Sequence, residues 1–341
     1  MAWYETDAPH WLGAAWKSEV AAWMDEALAA RGHQRTGPVT PVHLRVWSAV
    51  CRAQTTAGDV YFKSAPPGMD FEPALLAYLS ARGVDGLRLV AMDAQRSWML
   101  TRAEGATARD VHGKSPEGLA LWMRLLTRYA HMQLDLAPQA DGLVAVGVPD
   151  LRLERLLEQF DLLVGCGHLQ CGDDGLDARE LLALAGQRTR VEDLCGELAQ
   201  APIAQTLQHN DLHDSNVFVR DGEYIIFDWG DASVAHPLFD CEVLFAVAAG
   251  RWGLAAGSDG FLAFRDAYLG PFAERSSMDK VLRALEVSVP LAKLCRAMTW
   301  HRIVDLPSGQ GAREIVARRA KHLLAMLSND PAVQVGPSSY L

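Results

Sequence analysis

The chain has 341 residues, enough for one large domain or two moderate ones with ample material for a core. Half of the residues are hydrophobic and 22% are charged, the balance of a soluble globular protein. With 42 acidic against 32 basic side chains the net charge is −10, which argues against a nucleic-acid partner or an anionic membrane, since both need a basic field.

The opening "MAWYETDAPHW" has no basic n-region and no apolar h-region, and no stretch reaches the ~20 apolar residues of a membrane span, so the chain reads as cytoplasmic. Leu12, Trp16, Val20, Trp23 and Ala27 fall on one helical face, with Gly32 as the stop, and such an aromatic stripe reads as core. Three antiparallel strands follow at residues 42–48, 49–55 and 59–65, with Ala57-Gly58-Asp59 as a hairpin turn. "PPGMD" breaks the sheet, residues 71–83 show helical periodicity with a glycine stop, and residues 87–93 and 97–103 supply two more strands. After Ala103 the pattern turns helical. Residues 115–138 open with a serine cap and a proline at the first helical position, and residues 150–165 and 177–200 are further amphipathic helices. A polar loop, "HNDLHDSN", precedes a strand at residues 224–230; four more helical stretches run to about Leu327, and the tail 328–341 reads as irregular.

These elements describe an α+β chain in two lobes: a small antiparallel β-lobe with an N-terminal helix and one inserted helix (1–103), then a larger, mainly helical lobe (104–341). A cleft between lobes is a favoured ligand site. The six cysteines, Cys51, Cys166, Cys171, Cys195, Cys241 and Cys295, are scattered, and a chain of this size needs no disulfide staples. Cys166, His168 and Cys171 lack the second ligand pair of a zinc knuckle, so these thiols read as reduced. Asp173, Asp174 and Asp177 read as a solvated loop.

His209, Asp211 and Asn216 stand in the order H-x-D-x-x-x-x-N. Phosphoryl transfer from ATP needs an aspartate to accept the hydroxyl proton, a side-chain oxygen for Mg²⁺ and a second carboxylate bridging metal and phosphates. Asp211 and Asn216 suit the first two tasks, and Asp228, twelve residues after Asn216 across a hairpin spacing, suits the third. Lys63, in the apolar strand "VYFKSA", would be the phosphate cation, with Glu72 nine residues on as its partner.

On these residues the chain resembles the aminoglycoside phosphotransferase and choline kinase family, which shares the protein-kinase-like fold. The matching pieces are "VYFKSA", "FEPALLAYL", "WMLTRAEG", "HNDLHDSNVFV" and "FDWGDASVAHPLFD", in the family's order over residues 40–245. The resemblance implies Asp211 as catalytic base, Asn216 and Asp228 as Mg²⁺ ligands, and Lys63, paired with Glu72, on the α- and β-phosphates. It implies that ATP or GTP sets its base on the backbone of Leu100, Thr101 and Ala103, with Met99 lining the pocket. His209 would orient the loop and Asp240 would tie it down by hydrogen bonds. Two departures stand out. Asn210 occupies the position where the family commonly has glycine, and asparagine also tolerates unusual backbone angles. The phosphate-covering turn "RVWSAVCRA" holds no glycine, leaving Ser48 and its neighbouring amides to serve there.

Each piece also has an ordinary reading. Lys63 snorkels from a strand edge and Glu72 is a first-turn acid favoured by the helix dipole. His213 and Asp214 are loop residues with a lesser claim on metal or substrate; Asp231 either approaches the metal or closes the turn after Gly230. The acceptor is a small molecule with a hydroxyl group: an aminoglycoside or other antibiotic, an amino sugar, a choline-like alcohol or a related metabolite. Glu242, Asp259, Asp266 and Glu286 would suit a cationic acceptor, and equally a solvated helix face. Trp252 and Trp300 suit ring stacking or core packing. A metal-dependent phosphoesterase built on His209, Asp211 and His213 is the rival reading, but the later histidines His236, His301 and His322 are isolated. A pseudokinase that binds nucleotide without transfer is the third, against which the presence of Lys63, Asp211, Asn216 and Asp228 weighs.

Overall fold

The computed structural model describes residues 11, 13–84, 86–173, 175–306 and 309–328. Leu12, Asp174 and the tail from residue 329 lie outside the described residues, as does the start of the chain apart from Trp11. The chain divides into two compact units. The first comprises Met1–Ala106, Phe218–Gly230 and Arg302–Gly311, and the second Thr107–Val217, Asp231–His301 and Ala312–Leu341.

The first unit is built on an antiparallel sheet of order β1-β2-β3-β5-β4, with β1 at Thr40–Arg45, β2 at Ser48–Thr55, β3 at Gly58–Ser64, β4 at Leu89–Asp93 and β5 at Trp98–Arg102. Helix α1 (Ala14–Ala29) lays Val20, Met24 and Leu28 against one face, where Cys51, Ala53, Val60, Phe62 and Leu100 point. Trp23 meets Phe62 and Trp98 edge-on, at 5.9 and 5.6 Å. The aromatic stripe is therefore core, and each such pair adds ~0.5–1.5 kcal/mol beyond its buried area. Gly32, at φ +72°, supplies the left-handed step that ends the helical segment. On the opposite face the register aligns His43 with Val50, Val50 with Lys63 and Lys63 with Met99, one cross-strand row.

The first strand is shorter than its composition suggests. Val46 and Trp47 form the turn between β1 and β2, and Arg45 pairs with Ser48. A β-branched residue and an aromatic read as strand by propensity, which tertiary register overrode here. Helix α2 (Glu72–Ser80) follows, with Pro73 in its first turn. After the short strand β6 (Ala106–Thr107), the hairpin of β8 (Val217–Arg220) and β9 (Glu223–Ile226) turns through Asp221 and Gly222, both at positive φ, as a two-residue turn of this hand requires. The strand expected to reach Gly230 stops at Ile226, because Asp228 adopts φ +63°, a value no strand accommodates.

The second unit is mainly helical: α3 (Ala108–His112), α4 (Pro116–Leu136), α5 (Ala140–Ala145), α6 (Leu153–Gly165), α7 (Ala178–Ala185), α8 (Arg188–Leu198), α9 (Cys241–Trp252), α10 (Asp259–Ala273), α11 (Met278–His301) and α12, which runs Gln310–Leu327. Ser115 caps α4 by accepting from the Gly118 N–H at 3.0 Å. The single helix expected over 177–200 is two, parted at Gly186 and Gln187. Asp177 forms a capping box with Glu180 at the start of α7, so this acid has a structural task. Strands β7 (Thr206–Gln208) and β10 (Ser233–Ala235) pair antiparallel. Among the described residues no helix is long and apolar enough to cross a membrane.

Candidate active site

In the first unit, Lys63 sits on β3 with its ammonium between two carboxylates: Glu72 Oε2 at 2.5 Å and Asp228 Oδ1. Glu72 is 2% exposed, and its Oε1 accepts the Trp229 N–H at 2.8 Å, which fixes the turn that carries Asp228. Burial by itself would strip Lys63 of its proton, but the charges of Asp228 and Glu72 outweigh it and raise its pKa. Burial pushes the Glu72 carboxyl up, against the pull of Lys63 and of the Trp229 amide. Asp228 keeps 44% of its side chain exposed, and its left-handed backbone costs about 1–2 kcal/mol in a residue other than glycine. Lys63 thus joins Glu72, nine residues on, to Asp228, 165 residues away in sequence.

Two neighbours complete this half. Ser48 is buried at the end of β2, with its hydroxyl 3.4 Å from His43 Nε2. Burial lowers His43 to about 4, against the pull of Asp228 and with help from Arg45 and Lys63, so the ring is neutral at physiological pH. His43 was not singled out from sequence; the available signal was a histidine two residues before an arginine in a strand next to the glycine-free turn. Met99 shares the Lys63 row, whereas Leu100 turns its side chain into the α1 core. Thr101 Oγ1 donates to the Tyr61 carbonyl at 3.4 Å, and the Ala103 N–H to the Asp59 carbonyl at 3.0 Å.

In the second unit the polar loop hangs from a buried network. The His209 N–H donates to Tyr129 Oη (2.7 Å) and the Asn210 N–H to Asp240 Oδ1 (2.8 Å). Asp240 Oδ2 accepts from Tyr129 Oη (2.6 Å) and Gln133 Nε2 (3.0 Å). Burial raises the Asp240 carboxyl against these donors. Asn210 takes φ +62° and donates its amide to Thr299 Oγ1 at 2.6 Å, so a left-handed step is made by the residue standing in glycine's place. His209 is fully buried, and its Nδ1 accepts the Asp211 N–H at 3.3 Å. That contact ties the ring to its own loop.

Asp211 faces three groups. Asn216 Nδ2 donates to its Oδ2 (3.3 Å) and its carbonyl (3.0 Å), His213 Nε2 lies 3.5 Å from Oδ2, and Arg296 Nη2 lies 3.0 Å from Oδ1. Burial works to raise Asp211, but His213 and Arg296 prevail and hold it below the usual carboxylate range. Arg296, on α11 and 10% exposed, also reaches Asp231 Oδ2 at 2.6 Å. It too was missed from sequence, where the signal was one arginine among the buried Leu291, Leu294, Cys295 and Met298. Asp214 is locked by Arg109 (2.6 Å) and Arg251 (2.5 Å) and binds the loop to α3 and α9. Glu242, on α9, is held by Lys293 at 3.0 Å and Arg319 at 3.5 Å. All six cysteines are free, and no group of three or more His, Cys, Asp or Glu side chains among the described residues could by itself hold a metal ion.

Several solved structures share this fold. A macrolide 2'-phosphotransferase type I superposes with a TM-score of 0.53 at 13% identity, covering 89% of this chain and 98% of its own. An ethanolamine kinase from Plasmodium vivax gives 0.54 at 15% identity, with 84% and 81% covered. The GDP and kanamycin complex of APH(2")-IIia gives 0.51 at 15% identity, with 84% and 93% covered. At such identities the likeness establishes the fold, which is protein-kinase-like. A search of curated proteins finds no match. Residues 38–280 match the family model described as the phosphotransferase enzyme family, and with more than half of its length in that match the chain belongs to this family, as a small-molecule kinase.

Proposed function

We propose that the chain moves the γ-phosphoryl group of ATP or GTP to a hydroxyl of a small molecule, with residues 1–103 serving the nucleotide and residues 104–341 carrying the catalytic loop and the acceptor. The observation that carries the reading is the Lys63 ammonium held charged between Glu72 and Asp228. A buried lysine braced in this way is a fixed positive charge, suited to the α- and β-phosphates. Asn216 and Asp228 offer the hard oxygen donors that Mg²⁺ prefers, and Asp228 keeps its carboxylate partly open to solvent. When bound, the metal neutralises charge on the phosphates. The GDP in one structural relative supports nucleotide use.

Asp211 accepts the proton of the acceptor hydroxyl as its oxygen bonds to the γ-phosphorus. The bond from that phosphorus to the β,γ-bridging oxygen breaks, and the electron pair leaves on the nucleoside diphosphate. Held below the usual carboxylate range, Asp211 is ionised at neutral pH and ready to accept. Asn216 and His213 keep the carboxylate in place. His209 and Asp240 shape the loop, and Ser48, in contact with His43, would serve the phosphates. The reaction is catalysed by positioning and electrostatics, with no covalent enzyme intermediate.

The test is a coupled assay of ADP or GDP release with purified protein and a panel of hydroxylated acceptors. Asp211→Asn and Asp228→Ala should each lower transfer by at least about 10³-fold while circular dichroism stays unchanged. Full activity in either variant, or a nucleotide complex with Lys63 and Asp228 away from the triphosphate, would overturn the assignment.

A further inference from the structure

Asn210 and Asp211 are consecutive residues of the polar loop, and one face of α11 grips them both. Thr299 Oγ1 accepts the Asn210 side-chain amide at 2.6 Å while its own proton goes to the Cys295 carbonyl at 3.2 Å, so the hydroxyl serves as donor and acceptor at once. Three residues earlier, and so on the same side of the helix, Arg296 donates from Nη2 to Asp211 Oδ1 at 3.0 Å. Its Nη1 donates to Asp231 Oδ2 at 2.6 Å, and the Asp231 carbonyl accepts a longer contact of 3.4 Å from the Asn210 amide. These contacts close a ring that runs from Asn210 to Thr299, along α11 to Arg296, and through Asp231 back to Asn210. Asn210, Thr299 and Arg296 are all buried.

The two oxygens of Asp211 are held unequally. Oδ2 meets Asn216 Nδ2 at 3.3 Å and His213 Nε2 at 3.5 Å, both long for hydrogen bonds, whereas Oδ1 receives the shorter, charge-assisted contact from Arg296. A guanidinium is a rigid planar fork, so fixing one of its terminal nitrogens fixes the direction of the other. The contact with Asp231, the shorter of the two, thereby aims Nη2 at Asp211. A lysine in this place would be a point charge on a flexible stem, without a set direction toward either acid.

We propose that Arg296 is a positioning residue for the phosphotransferase reaction: aimed by Asp231 and backed by the contact of Asn210 with Thr299, it holds the Asp211 carboxylate where the acceptor hydroxyl must present its proton. This deepens the phosphotransferase reading and rests on it. The role is geometric, and Arg296 itself exchanges no proton.

The experiment measures ADP release from Mg-ATP by the full chain, with the best of glycerol, glucose, choline and kanamycin as acceptor. Arg296→Met should lower kcat about 10²-fold, the effect of misplacing a reacting group by about 1 Å, and leave the KM for ATP within about 3-fold of the parent. Arg296→Lys should restore only a minor part of the rate, and millimolar guanidinium ion should raise the kcat of Arg296→Ala, where ammonium ion does not. Asp231→Asn should lower kcat about 3- to 10-fold in the parent and leave it unchanged in Arg296→Met, since its effect passes through the guanidinium. Asn210→Gly keeps a left-handed step that glycine takes freely and removes the side-chain contacts with Thr299 and Asp231; this variant folds without strain, and its kcat should fall about 3- to 10-fold. Parental kcat in Arg296→Met or Asn210→Gly, full activity in Arg296→Lys, or an equal loss from Asp231→Asn in both backgrounds overturns the proposal. Crystal structures of the parent and of Arg296→Met read the Asp211 carboxylate without any turnover: a displaced carboxylate supports the proposal and an unmoved one overturns it. Should Asp211→Asn transfer phosphate as well as the parent, the assignment of the base falls, and the two crystal structures still decide whether Arg296 holds the carboxylate.

Discussion

Replacing Lys63 with methionine removes the ammonium that joins Glu72 and Asp228 while keeping much of the apolar stem. Asp228 is partly exposed and can rehydrate, but Glu72, 2% exposed, is left as a buried carboxylate whose one remaining donor among the described residues is the Trp229 N–H. Stranding one partner of a buried pair costs about 3–5 kcal/mol. The carboxyl can limit that cost by taking up a proton, which burial already favours. A carboxyl whose folded pKa lies above its unfolded one costs nothing below the unfolded value, and destabilises as pH rises through the folded value. The deficit of Lys63→Met relative to the parent should therefore be large at pH 8 and shrink toward pH 5. Adding Glu72→Gln, which keeps an acceptor for Trp229, should remove most of that pH dependence. Urea unfolding midpoints of the three proteins across this range are the assay. A Lys63→Met protein as stable as the parent at pH 8, or with a deficit independent of pH, would refute the account of a buried, braced charge.

Two further outcomes follow from the geometry. His43 titrates near 4 in the folded chain and near 6.5 unfolded. Above 6.5 it is neutral in both states, and as pH falls from 6.5 to about 4 only the unfolded chain takes up its proton, so stability drops over that window by ~3 kcal/mol at 1.36 kcal/mol per pH unit. His43→Ala should lose less stability on the same acid titration, and its nucleotide KM should rise about 3- to 10-fold if the Ser48 contact positions the phosphate turn; an unchanged acid profile would contradict this. Asp240→Ala strands the Asn210 N–H and the Tyr129 hydroxyl, at about 1–3 kcal/mol each. It should lower the unfolding free energy by at least ~2 kcal/mol, whereas a loss under ~1 kcal/mol would remove Asp240 as the anchor of the loop.

Local pattern determined much of what this chain is. The 3.6-residue period of Trp16, Val20 and Trp23, the strand alternation around Lys63, the serine at 115 before proline and the H-x-D-x-x-x-x-N loop each act within a few residues. They were legible as α1, β3, α4 and a loop between β7 and β8. Local pattern failed where a local preference was outvoted: Val46 and Trp47 turn despite strand propensity, and Phe227 and Asp228 leave the strand that their apolar neighbours suggest. Pairings across the chain belonged to tertiary structure alone. Only sheet register aligns His43 with the Lys63 row, and only the packing of α11 brings Arg296 to Asp211. The same packing sets Lys293 and Arg319 on Glu242, so an acid that composition offered to a cation is already paired. The physical reason is that charge acts through distance in space. A side chain's neighbours in the folded chain, rather than its own chemistry, decide whether it attracts a ligand or is already satisfied.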